Sequence, residues 1–177
     1  GLYSFWVIYM EALNAIMGRR SIRNYTGEKI PDGNIKVLLE AAMNAPSAHN
    51  NKPWHFIVVD EREALDKIPE YHPYSKMLEQ ASHAIVILGD TQVQDTDFWI
   101  HDCAAATQNM LLAAHAMGYG AVWLGVHPSE ALIKGTKDLF EIPDNVTPLG
   151  IVSLGVTTVV KPPRENYDED RVHKNKW

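Results

Sequence analysis

Residues 45–59 read APSAHNNKPWHFIVV, and the fold turns on how this stretch passes from helix to strand. On its N-terminal side, Asp32 precedes Ile35, Leu38, Leu39, Ala42 and Met43. These apolar residues fall at i, i+3, i+4, i+7 and i+8, the stripe of an amphipathic helix that Pro46 closes. On its C-terminal side, Trp54 to Val59 is a short apolar and β-branched run ending at Asp60, which predicts a buried strand. Between them Ser47, Asn50 and Asn51 can give and accept hydrogen bonds, while Pro46 and Pro53 restrict the loop to few shapes. Such a loop suits a flat heterocycle with polar edges; an ordinary capped connection has the same composition.

Working outward, Ala84 to Leu88 is a second apolar run, ending at Gly89. From Trp99 to Met117 the apolar positions keep helical spacing up to Gly118, a C-cap. Ala104, Ala105, Ala106, Ala113 and Ala114 widen its apolar surface, so this helix is expected to be buried nearly all round and to supply a dimer core. Ala121 to Val126 and Leu149 to Val156 read as two more strands, with Pro128 and Ser129 opening a helix that runs to about Phe140. A short helix is expected over Glu11 to Gly18. Helix and strand alternate, which by itself favours a parallel α/β sheet.

The 177 residues are enough for one domain with a substantial core. Lys plus Arg number 16 against 22 Asp plus Glu, a net charge of -6, so no broad positive field invites nucleic acid. No apolar run is long enough to span a bilayer, and Phe5 to Tyr9 lacks the basic flank of a signal peptide. A soluble, cytoplasmic protein is expected, with no membrane partner. The single Cys103 cannot form an internal disulfide and is expected to be buried and inert. Residues 1–9 read as an N-terminal extension or a processing or tag remnant, with Met10 as an alternative start. Residues 10–177 then form one domain whose last stretch, 157–177, contains Pro162, Pro163 and many charges yet ends in Val172 and Trp177. That tail reads as an arm that docks on a neighbour, the alternative being a frayed end.

Arg19, Arg20, Ser21, Ile22 and Arg23 place three guanidiniums and a hydroxyl within five residues of an acidic chain. Arginine forks match phosphate oxygens, so a nucleotide phosphate is the natural guest; a solvated basic turn is the alternative. No HExxH or paired-cysteine motif accompanies His101 and Asp102, so no metal is expected and both read as interface or surface residues. His49, His55, His72 and His115 are expected in structural or solvated roles. Trp99, Tyr71, Tyr74 and Phe98 could stack on a substrate, although such aromatics are more often core.

RRSIRNYTGEKIP at residues 19–31, followed by APSAHNNKPWHFIVV at 45–59, resembles the opening of the nitroreductase family. Gly118 to Gly125 (GYGAVWLG) and Lys161 to Arg164 (KPPR) fit the same family, so the resemblance spans about Glu11 to Trp177. It implies an α+β, three-layer fold: a central, mainly antiparallel sheet of four or five strands flanked by helices, with the C-terminal arm exchanged in a homodimer. It also implies FMN as cofactor, NADH or NADPH as electron donor, and a small-molecule acceptor such as a nitroaromatic or quinone. By this resemblance Arg19, Arg20 and Ser21 anchor the FMN phosphate, and Arg23 lies near the pyrimidine edge of the flavin. There a fixed cation stabilises the charge of the reduced ring. Pro46, Ser47, Ala48 and Asn50 match a loop that the second subunit lends to the ring. Trp123, Leu124 and Gly125 match the segment passing flavin N5, and Arg164 matches a basic residue that returns to the phosphate, with Lys161 a second donor.

Two departures stand out. Lys52 occupies a position where many members carry Gln, and the region from Glu61 to Trp99 leaves little room for the helical insertion of larger members. An open, loosely selective pocket follows. No catalytic side chain is named, because the flavin carries the redox chemistry. Two other readings remain at this stage: reductive dehalogenation or oxygen-dependent chemistry on the same scaffold, and a flavin-binding carrier or sensor without turnover.

Overall fold

The computed structural model describes residues 10–177; the extension expected over residues 1–9 lies outside the described residues. In chain order the helices are α1 (Ala12–Gly18), α2 (Asp32–Met43), α3 (Arg62–Lys67), α4 (Phe98–Ala116) and α5 (Glu130–Phe140). The strands are β1 (Trp54–Val59), β2 (His83–Asp90), β3 (Tyr119–Gly125) and β4 (Val146–Val156). They form one sheet in the order β1-β2-β4-β3, and every neighbouring pair is antiparallel.

The alternation of helix and strand misleads about this sheet for a topological reason. β2 and β3 are each antiparallel to β4, hence parallel to one another, and α4 crosses between them as in a parallel unit. β4 then inserts into the gap, splitting that unit and turning both contacts antiparallel. The α+β arrangement implied by the resemblance is therefore the one observed.

Both sheet faces are covered, which explains the unbroken apolar run in β2. Ile85 and Ile87 point into the core formed with α2 and α4, through Leu38, Ala42, Cys103, Ala106 and Met110. Ala84, Val86 and Leu88 point the other way, against Leu65 of α3, Ile68, Leu78 and Val122, with Leu132, Ile133 and Leu139 of α5 packed on that core. α4 buries Trp99, Asp102, Cys103, Ala106, Thr107, Met110, Leu111 and Ala114. Its other face, including Ala104, Ala105, Leu112 and Ala113, is only half-buried within one chain. The expectation of a helix buried nearly all round is thus met on one side.

β4 begins three residues before the expected Leu149. Pro148 hides this start from a sequence reading because proline cannot donate to a ladder. The strand tolerates it at a bulge, where Ile87 faces Gly150 but Leu88 faces Pro148. The carbonyl of the intervening Leu149 accepts from both Val126 N (3.1 Å) and His127 N (3.0 Å), so the bulge also anchors the chain leaving β3.

Candidate functional site

The basic segment Arg19 to Arg23 runs beside the end of the sheet because its one apolar member is pulled inward. Ile22 is buried and its N–H donates to Ala121 O (3.0 Å), as an added strand would. Tyr25 Oη donates to Ile22 O (3.0 Å) and shares a 2.8 Å hydrogen bond with Ser153 Oγ, while Thr26 N donates to Val156 O (2.8 Å). Burial pushes the Tyr25 phenol up to about 12, so it stays a neutral donor. The chain leaving β4 closes the other side: Lys161 Nζ donates to Ser21 O (2.9 Å) and Arg20 Nη1 to Pro162 O (2.7 Å).

These ties leave a polar cavity of ≈ 310 Å³ lined by Arg19, Arg20, Ser21, Arg23, Lys161, Arg164 and Asn166, with Ile16 and Met17 at its edge. The structure thus brings Arg164 and Lys161 to the N-terminal arginines from far along the chain. Among the described residues, none of these five cations has a carboxylate partner. Five cations around one small cavity repel one another unless an anion joins them, so the donor set fits a phosphate. Behind the cavity, burial and then the nearby Arg19 guanidinium hold the His115 imidazole below its ordinary pKa.

Arg23 also lines a second, larger groove of ≈ 690 Å³, with His72, Tyr74, Lys76, Met77, Trp123, Leu124, Gly125 and His127. Trp123 and Gly125 face outward from β3, whereas the Leu124 side chain is buried in the core, so at Leu124 only the backbone can serve a ligand. His72 secures the end of the strand: its Nδ1 accepts from Tyr74 N (3.3 Å), which leaves Nε2–H to donate to Gly125 O (2.8 Å). Lys76 is a groove residue that the sequence reading missed. A lone lysine in a turn carries no spacing signal, and only the fold brings it to Arg23's groove. Of the aromatics, Tyr74 lies exposed in this groove. Trp99 is core, packed edge-on against His127 at 5.2 Å between ring centroids, and Tyr71 bonds to Thr136 across 2.9 Å.

Pro46, Ser47, Ala48 and Asn50 do not join these residues within one chain; none of them lines either cavity. Their loop packs instead on the start of α4. The expectation that Asp102 is an interface or surface residue is overturned here, for Asp102 is 4% exposed and bonds to the loop. Its Oδ1 accepts from Ala48 N (2.9 Å) and its Oδ2 from Gln94 Nε2 (2.9 Å). A carboxylate within an apolar helix looks from sequence like a break in the buried face; the loop's unpaired N–H is what draws it in. His101, one residue earlier, is exposed. Cys103 is buried beside Asp102, with its thiol pushed up to about 12 by burial and then by that carboxylate. The described residues with metal-like spacing, Asp32, Asp60 and His83 within 4.8 Å of one another, lie outside both cavities.

A cavity lined by five cations and a groove along β3 share Arg23, on an antiparallel sheet split around a crossover helix. The profile of the nitroreductase family matches residues 16–72 and 68–156, and the chain belongs to this family of oxidoreductases. Two relatives carry the provisional name NADH dehydrogenase/NAD(P)H nitroreductase. The one from Methanothermobacter thermautotrophicus is 46% identical over 169 residues, covering 95% of this chain and 88% of its own. The one from Archaeoglobus fulgidus is 45% identical over 172 residues, covering 94% and 99%. The solved structure of an FMN-dependent nitroreductase from Clostridium difficile R20291 superposes with a TM-score of 0.86 at 28% identity, covering 93% of this chain and 99% of that one.

Proposed function

We propose that this chain is an FMN-dependent NAD(P)H oxidoreductase acting as a homodimer, with one FMN-binding domain over residues 10–177 and an arm over 157–177. The observation that carries the reading is Arg23, which lines both the phosphate-sized cradle and the groove along β3 and so stands between a charged pocket and a larger open one. When bound, FMN would supply the redox chemistry between NADH or NADPH and a small acceptor such as a nitroaromatic or quinone.

The chain's own residues supply binding and orientation. Arg19, Arg20, Ser21, Lys161 and Arg164 hold the phosphate with charge-assisted hydrogen bonds. Arg23 and Lys76 put positive charge beside the ring, where the reduced cofactor carries negative charge. Outward-facing Trp123 and Gly125 and the backbone at Leu124 line the ring's edge, and His72 keeps the Gly125 end of that strand in place. Pro46, Ser47, Ala48 and Asn50 come from the second subunit, which accounts for their separation from the cradle in one chain. Arm exchange is supported by Val160, Tyr167, Val172 and Trp177, all exposed in the single chain, and by β1, an open sheet edge. Tyr74 stands exposed at the groove mouth, which favours broad acceptor selectivity. No described helix is long and apolar enough to cross a membrane, in keeping with a cytoplasmic location.

The test is the visible spectrum of the purified protein under anaerobic conditions. A flavin spectrum that bleaches with NADH or NADPH and returns on adding a nitroaromatic or quinone is expected. Failure to bind added FMN would sink the proposal; bound flavin that neither nucleotide reduces would leave a carrier or sensor.

A further inference from the structure

We infer that Asp102 and Gln94 are positioning residues that lock the two peptide groups flanking Ala48, and with them the Pro46 to Asn50 loop, in the shape that meets the flavin ring. The inference rests on the proposed FMN reading and concerns how the loop is held.

The backbone of this loop is costly to keep. His49, Asn50 and Lys52 have φ of 55°, 55° and 48°, a left-handed region that side-chain-bearing residues avoid. Such a run persists only where its surroundings over-determine it. Here they do, and from both sides of one residue: Asp102 Oδ1 accepts from Ala48 N (2.9 Å), while Gln94 Nε2 donates to Ala48 O (2.9 Å). The two clamps are bonded to each other, Gln94 Nε2 to Asp102 Oδ2 at 2.9 Å, and Gln94 Oε1 accepts from Asn51 Nδ2 (2.9 Å). Lys52 N closes the loop on Ser47 Oγ (3.0 Å). Asp102 and Gln94 are each 4% exposed, and Asp102 has no ion-pair partner among the described residues. Burying a carboxylate without a cation is unfavourable, and every hydrogen bond it accepts leads to this loop. Neither residue lines the cradle or the groove, so their action on a ligand runs through Ala48.

The network cannot absorb an isosteric change. In Asp102→Asn one acceptor becomes a donor facing the Gln94 amide, and turning that amide breaks its bonds to Ala48 O and Asn51. In Gln94→Leu the Ala48 carbonyl loses its partner while the side-chain volume stays close.

The experiment measures dissociation constants of FMN and of riboflavin, which has the ring but no phosphate, well below the melting temperature. Wild type, Asp102→Asn, Gln94→Leu and Arg20→Ala are compared, with size-exclusion profiles as a check on assembly. Both loop variants should weaken FMN and riboflavin by the same factor, roughly tenfold, and alter the visible circular dichroism of bound flavin. Arg20→Ala should weaken FMN alone. Folded loop variants with riboflavin affinity and dichroism like wild type overturn the inference. Wild-type protein that binds neither ligand overturns the FMN reading itself, and the inference with it.

Discussion

Gly150→Ala tests the groove through a single methyl group. Gly150 faces Gly125 where β3 and β4 end their pairing. A Cβ built on Gly150 would lie 2.6 Å from Trp123 Nε1 and 2.9 Å from Leu124 O, inside the 3.0 Å that real Cβ atoms keep. The indole can swing aside, but the Leu124 carbonyl belongs to the strand backbone, so relief needs the two strands to part. Overpacking of this kind costs about 1–3 kcal/mol. At roughly 2–4 °C per kcal/mol for a chain this size, Tm should fall by about 2–12 °C. The assay is urea denaturation and thermal melting at one fixed protein concentration, since a dimer's stability depends on it. Gly33→Ala is the control: it lies in α2, its added Cβ meets nothing within 4 Å, and it should be neutral or slightly stabilising. FMN should also bind Gly150→Ala more weakly, because Trp123 has moved. A midpoint for Gly150→Ala equal to wild type refutes the packing argument.

Removing one cradle cation, Arg19→Ala, should weaken FMN binding by roughly tenfold to a hundredfold through loss of a charge-assisted hydrogen bond, while size exclusion still shows the wild-type assembly; unchanged affinity counts against the phosphate assignment. Burial is the main cause lowering the pKa of both His83 and His115; at His83 the Asp60 and Asp32 carboxylates oppose it without reversing it while Lys29 adds to it, and at His115 Arg19 adds to it. The folded state therefore resists protonation that the unfolded chain accepts near pH ~6.5. Stability should be full above that value and decline as pH falls through the lowered pKa values, read as a lower Tm at about pH 5.5 than at about 7.5; a rise on acidification would contradict it. Cys103, fully buried with its thiol pushed up to about 12, should resist a thiol reagent in the native protein at about pH 8 and react after unfolding. Rapid labelling of native protein would mean that α4 opens there.

Much of the architecture was legible because each element announced itself by period. The Ile35, Leu38 and Ala42 stripe, the β-branched run before Asp60 and the capping Ser129, whose side chain accepts from Leu132 N, all depend on contacts a few residues apart. What escaped depends on distant partners. The antiparallel sheet was legible only through the family resemblance, because it follows from β4 entering between β2 and β3 and nothing within β4 encodes its neighbours. The start of β4 was masked by Pro148, whose place depends on a bulge opposite Ile87 and Leu88. The candidate site divides the same way. The arginine segment stood out as charge density in an acidic chain, and its motif tied it to Arg164 across 140 residues or more. Lys76, His72 and Asp102 did not stand out, since each acquires a role only when the fold sets it against Arg23, Gly125 O or Ala48 N.

Asp102 shows why composition misjudges such positions. On a helical wheel it interrupts an apolar face between Trp99 and Cys103, and the least costly reading of a carboxylate there is that it turns outward. The alternative, a buried anion, is tolerable only if donors are waiting, and those donors come from two segments with no periodic relation to α4. A strained loop needs fixed acceptors and a buried carboxylate needs fixed donors, so neither is stable in this arrangement alone. The same mutual dependence holds for the cradle, whose five cations are arranged at an electrostatic cost that an anion would relieve. Both features place stored cost where a ligand or a neighbouring segment removes it, and they are therefore the two parts of this chain where substitution should change binding more than folding.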